Sequence, residues 1–138
     1  MNVQLAYGKS VLDVALPAEA RPTIIRKPPF PSPAPAEQII ADALANPIGS
    51  EQVERIARGK NSACILICDI TRPVPNATFL QPLIRKLMSA GIPAAAITVL
   101  VATGLHRPNV GAELLELVGD PWVLETVSVA NQFANNDE

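Results

Sequence analysis

Two short polar segments of this chain hold side chains able to do chemistry. Asp69-Ile70-Thr71-Arg72-Pro73-Val74-Pro75 carries a carboxylate and a guanidinium, and Thr103-Gly104-Leu105-His106-Arg107-Pro108 carries the only histidine. An imidazole, with an ordinary pKa of about 6.5, can accept a hydroxyl proton at neutral pH, so His106 is a candidate general base. Arg72 can grip a carboxylate through two parallel hydrogen bonds, or form an ordinary surface ion pair. Asp69 could orient the histidine or the arginine, bind a sugar hydroxyl, or cap nearby backbone amides, with Thr71 beside it. Arg107 could add positive potential for an anion or face solvent. Gly104 permits a positive φ or close approach of the backbone to a ligand.

These residues need elements that bring them together, and the apolar pattern supplies them. The run from 63 to 69 is near-continuously apolar and predicts a buried strand, followed by a helix over about 77–90, a strand over 95–102, a helix over about 109–118 and a strand over 122–129. Alternation of this kind gives right-handed βαβ crossovers and a mainly parallel sheet with Rossmann-like units. Both polar segments then lie at the C-terminal edge of that sheet, where open α/β sheets build ligand sites. Pro73 and Pro75 stiffen the first loop, and Asn76 or Thr78 can cap the next helix, Thr78 having Gln81 placed for a capping box. Pro82 is tolerable near the first turn, and Gly91 with Pro93 ends the helix.

Upstream, alternation on either side of Gly8-Lys9 predicts a β-hairpin within residues 1–27, with Thr23-Ile24-Ile25-Arg26 as a third short strand. Residues 28–35 form a proline-rich arm of polyproline II character. The α/β core occupies 36–138 and opens with two helices, one over 36–46 and one from Ser50 to near Gly59. The whole reads as a single α/β domain of 138 residues.

Composition removes several classes of function. A net charge of −2, a pI near 5.4 and 4% aromatic residues offer neither a basic face nor stacking platforms for nucleic acid. No apolar run is long enough to cross a bilayer and the N-terminus lacks signal-peptide character, so a cytoplasmic protein is expected. Cys64 and Cys68, four apart on one strand, would have Cα atoms roughly 13 Å apart, beyond the ~7 Å reach of a disulfide. They lack a second Cys/His pair for zinc and read as core-filling thiols, so no metal site is expected. Gly8-Lys9-Ser10 ends like a phosphate loop but has Val3 in place of its first glycine, and a strand follows it.

Taken together, Cys68-Asp69-Ile70-Thr71-Arg72-Pro73-Val74-Pro75 and Ala102-Thr103-Gly104-Leu105-His106-Arg107-Pro108 resemble the N-terminal domain of the nickel-pincer lactate racemase family. Leu5-Ala6-Tyr7-Gly8, Ala43-Leu44-Ala45-Asn46-Pro47-Ile48-Gly49-Ser50 and Ala90-Gly91-Ile92-Pro93 extend the resemblance over nearly the whole chain. It implies inversion of a 2-hydroxy acid: a histidine at His106 takes the hydroxyl proton, while the α-hydrogen leaves as hydride to a nickel-pincer nucleotide. Arg72 would hold the substrate carboxylate, with Asp69 and Thr71 in support; Arg107 and Gly104 could touch an anion or cofactor. The family's second catalytic histidine, its cofactor-bearing lysine and its nickel-ligating histidine belong to a C-terminal cofactor domain beyond these residues. Asn131-Gln132-Phe133-Ala134 stands where relatives are expected to carry a histidine-aspartate pair. The expectation is therefore a substrate-facing domain that is inactive alone and needs the C-terminal domain as partner. A different class also fits the residues: a non-catalytic α/β module binding a small carboxylate or phosphate at Arg72 and Arg107. An interaction domain using the proline arm is a third.

Overall fold

A computed structural model describes residues 1–31 and 33–134, and they fall into two compact units, one before and one after residue 32. In the first unit, β1 (Asn2–Tyr7) and β2 (Ser10–Ala15) form the expected antiparallel hairpin, with Tyr7 opposite Ser10 across the two-residue turn. Gly8 has φ of +59° there, the left-handed value such a turn requires. Residues 23–26 do not form the expected third strand. Pro22 removes a donor at the start of the segment and Pro28-Pro29 follow it, leaving too few N–H groups to extend a ladder.

The second unit is α/β. Helices α1 (Ala36–Ala45) and α2 (Val53–Ala57) precede a sheet of β3 (Ala63–Cys68), β4 (Ile97–Ala102) and β5 (Ser128–Asn131), ordered β3-β4-β5 and parallel throughout. Helix α3 (Asn76–Ser89) connects β3 to β4, while α4 (Ala112–Val118) and α5 (Pro121–Thr126) connect β4 to β5. The core lies between the sheet and these helices: Ile67, Val99 and Val101 pack with Leu80, Ile84, Val118 and Val123. No helix of the described residues is long and apolar enough to cross a membrane.

The opposite face of the sheet is open. Cys64, Leu66 and Cys68 alternate with the core residues of β3 and all three are exposed, Leu66 at 68%. This corrects the reading of the two cysteines as core thiols. A continuous apolar run suggests burial on both sides, but every connecting helix packs on one face. A second correction concerns residues 122–126, expected as strand and found as α5. Asp120 caps this helix, its Oδ1 accepting from the Trp122 N–H at 2.9 Å, and Pro121 takes the first turn, a start signal that outweighs the apolar run. Nor does Thr78 cap α3. That helix begins at Asn76, so the Thr78 hydroxyl turns back and donates to the Pro75 carbonyl at 2.8 Å, and Pro82 lies inside the helix rather than near its first turn.

Asn76 is 1% exposed and ties α3 to α4, its Nδ2 donating to the Leu117 carbonyl at 2.9 Å. Close to that junction α4 ends at Gly119, whose φ is +74° and whose N–H donates to the Leu115 carbonyl. A Cβ at position 119 would stand 2.5 Å from the Ala77 Cβ. Gly119→Ala combines a strained φ with an overlap between helices and should cost roughly 2–4 kcal/mol, read as a lower urea midpoint with the slope unchanged.

Candidate active site

At the end of β3 the backbone turns sharply and buries Asp69, 5% exposed, beneath the loop it starts. One carboxylate oxygen, Oδ1, accepts the Thr71 hydroxyl at 2.6 Å and the Thr71 N–H at 3.3 Å, while the Arg72 N–H donates to the Asp69 carbonyl. The prolines then act as centres of two successive three-residue turns: Val74 N–H donates to the Arg72 carbonyl at 2.8 Å and Asn76 N–H to the Val74 carbonyl at 2.9 Å. Pro75 has φ −79° and ψ 60°, close to the inverse γ-turn minimum that its ring already favours. Arg72 is thus presented on a coiled, proline-fixed loop.

The loop after β4 is built to meet it. Gly104 adopts φ of +58° and the His106 N–H donates to the Thr103 carbonyl at 3.0 Å, closing a tight turn. His106 Nδ1 is hydrogen-bonded to Asp69 Oδ2, so the carboxylate serves Thr71 with one oxygen and the imidazole with the other. An ionised carboxylate only accepts, so Nδ1 carries the proton and Nε2 is left as the acceptor. Nε2 makes no hydrogen bond among the described residues, and the imidazole is 57% exposed against 6% for the Asp69 side chain. The Thr71 hydroxyl first, and the imidazole second, hold the Asp69 carboxyl below the ordinary aspartate range.

His106, Asp69 and Arg72 line one cavity of about 320 Å³, floored by Cys68 and Ala102 and bordered by Thr103, Gly104 and Leu105. The guanidinium of Arg72 has no ion-pair partner among the described residues. Three other residues singled out in the sequence have hydrogen-bond partners of their own. Thr71 spends its hydroxyl on Asp69. The Gly104 N–H donates to Gln132 Oε1 at 3.1 Å. Arg107 does not line the cavity but forms a bidentate pair with Glu113 at 2.6 and 2.7 Å.

That pair, with a third bond from Asn109 Nδ2 to Glu113 Oε2 at 2.9 Å, lowers the pKa of the Glu113 carboxyl to about 2. Because folding depresses this pKa, the stabilisation is complete above the unfolded value near 4.5 and disappears as pH falls toward 2. Glu113→Gln should therefore flatten the acid limb of stability between about pH 4.5 and pH 2, measured by urea unfolding across that range.

Sequence reasoning passed over Asn109 and gave Asn131 and Gln132 no role beyond standing where relatives are expected to carry a histidine-aspartate pair. Asn109 is 2% exposed; its Oδ1 accepts from the Ile70 N–H at 3.4 Å, joining the two site loops beside the Asp69–His106 contact. Asn131 pairs with the Asn109 backbone in both directions at 2.9 Å. Nothing in residue type marked them, since the bonds depend on where β5 ends. Among the described residues no group of three or more His, Cys, Asp or Glu side chains could hold a metal ion.

A buried aspartate, an imidazole aligned by it and an unpaired arginine, all at the carboxyl edge of a parallel sheet, define an α/β domain equipped to bind an anion and move a proton. Residues 7–138 match the lactate racemase N-terminal domain family, and the chain belongs to that family. It is 31% identical over 99% of its length to lactate racemase of Thermoanaerobacterium thermosaccharolyticum, and 42% identical over 87 residues, 63% of the chain, to lactate racemase of Lactiplantibacillus plantarum. The matched regions are 32% and 20% of those two proteins. The fold is similar to that of the lactate racemase apoprotein from T. thermosaccharolyticum, with a TM-score of 0.74, 32% identity, and coverage of 99% of this chain and 31% of that one. The chain therefore spans about a third of the length of this relative.

Proposed function

We propose that this chain supplies the substrate-facing wall of a racemase acting on 2-hydroxy acids. The observation that carries the reading is the hydrogen bond from the sole histidine to a buried carboxylate, at the edge of a cavity that an unpaired arginine also lines. Arg72 binds the substrate carboxylate and thereby sets the 2-hydroxyl toward His106 Nε2. The imidazole takes the hydroxyl proton, and Asp69 stabilises the imidazolium that forms. The nickel-pincer nucleotide that the family resemblance implies would, when bound, supply the hydride acceptor, so that loss of the hydroxyl proton to His106 and of the α-hydrogen as hydride gives the 2-keto acid, and return of hydride to its opposite face inverts the centre.

The family resemblance implies that this nucleotide is bound mainly by a C-terminal cofactor domain, with Arg72 and His106 of this chain facing the substrate beside it. With one histidine, this chain serves one proton; the second catalytic histidine that the family resemblance implies would come from the same C-terminal domain. The open face of the parallel sheet supports such a partner, since sheets of this kind are normally covered on both sides.

The test is Arg72→Ala in the enzyme assembled from both domains. Loss of a bidentate charge-assisted contact worth about 1.5–3 kcal/mol should raise KM for lactate about 10–100-fold, and Arg72→Lys should recover only part of it. An unchanged KM would remove Arg72 from the site. The unpaired guanidinium also suits a simple anion-binding module. Calorimetry of the 138-residue chain separates the two, because a module would bind phosphate and lactate alike without any second domain.

A further inference from the structure

Two adjacent residues at the end of β5 hold both ends of the loop that carries His106. At its start, the Gln132 carbonyl accepts the Thr103 hydroxyl and Gln132 Oε1 accepts the Gly104 N–H at 3.1 Å, while the Gln132 N–H donates to the Val101 carbonyl at 2.9 Å. At its finish, Asn131 Oδ1 accepts the Asn109 N–H and Asn131 Nδ2 donates to the Asn109 carbonyl, both at 2.9 Å. Asn109 in turn reaches the Ile70 N–H, next to Asp69. A loop with φ of +58° at Gly104 and an exposed Leu105 has little packing of its own to keep it in place. Its conformation is set by these polar bonds.

We propose that Asn131 and Gln132 are positioning residues for the base: they fix the 103–109 loop so that His106 Nδ1 stays on Asp69 and Nε2 stays presented to the cavity before substrate arrives. This rests on the reading of His106 as the proton acceptor. Neither side chain touches the cavity, and both act through the loop. The pair is matched to the backbone atoms it serves. An asparagine amide supplies one acceptor and one donor, the complement of the N–H and carbonyl of a single residue, whereas a carboxylate in its place only accepts and leaves the carbonyl without a donor.

The sole histidine makes the test direct. In the ¹⁵N-labelled 138-residue chain, the two ring nitrogens of His106 report its tautomer without interference from any other imidazole. Wild-type protein should show Nδ1 as the protonated nitrogen. Asn131→Ala and the near-isosteric Asn131→Asp should shift the ring signals toward the Nε2–H form while the circular dichroism of the fold is retained, and Asp69→Asn should do so fully. A purely structural role would lower the unfolding midpoint and leave the tautomer of the folded protein unchanged, and that result overturns the proposal. If Asp69→Asn also leaves the ring unchanged, the Asp69–His106 pairing itself fails, and the reading of the base fails with it. Should the Asn131 variants not fold, Gln132→Ala carries the test: it removes only the Gly104 partner, keeps the backbone bonds of residue 132, and is expected to shift the same signals.

Discussion

Exchanging Asp69 for asparagine should lower racemisation by the assembled enzyme by about 10²–10⁴-fold while leaving KM for the 2-hydroxy acid within a few-fold of wild type. Asp69 is 5% exposed, and its two oxygens are committed to Thr71 and His106. An asparagine can keep the Thr71 bond through its carbonyl oxygen but then turns an N–H toward His106 Nδ1. The ring must respond by placing its own proton on Nε2, the atom that should be accepting one. The imidazolium formed during turnover also loses the negative charge that steadies it. Arg72 is untouched by this exchange, which is why binding should survive. The measurement is a kcat and KM pair for lactate with each variant, and a rise in KM at constant kcat would assign Asp69 to substrate binding instead.

Acidification probes the same carboxylate from another side. Folding lowers the Asp69 pKa, so its contribution to stability is present above the ordinary aspartate value and is lost as pH falls through the lower folded value. Asp69→Asn should remove that portion of the acid dependence, just as Glu113→Gln removes its own, and the two should add only in part because Asn109 connects the two sites through Ile70 and Glu113.

Legibility of the fold in the sequence followed the strength of local signals. The hairpin at Gly8-Lys9, the strand ending at Asp69 and the strand ending at Ala102 are set by turn chemistry and apolar runs a few residues long, and they appear in the structure at nearly the expected bounds. Residues 121–126 misled because Val123, Leu124 and Val127 read as strand, while the decisive information, Asp120 and Pro121, was a cap rather than a period. Exposure of Cys64 and Cys68 could not be read from β3 alone: it depends on all the crossover helices falling on one face, a property of handedness and strand order. In the site, Asp69, Arg72 and His106 were visible because their types are chemically distinctive and each follows a strand. Thr71 and Arg107 were visible too, but their partners were not; only the folded loops show that one hydroxyl serves Asp69 and that one guanidinium belongs to Glu113. Asn109, Asn131 and Gln132 act largely through or upon backbone atoms, and such roles leave no pattern in residue type.

On the proposed reading the sole histidine of this chain moves the hydroxyl proton. The most direct test of this is the rate of lactate racemisation, followed from each enantiomer, by the assembled enzyme carrying His106→Ala. The equilibrium constant of a racemisation is unity, so losing a base that deprotonates one enantiomer, and as its conjugate acid reprotonates the keto acid when that enantiomer is the product, must affect kcat/KM equally in both directions. The expected result is a fall in kcat of about 10²–10⁴-fold from either side, with KM changed little because Arg72 still holds the carboxylate. Turnover at the wild-type rate from either enantiomer would contradict the account.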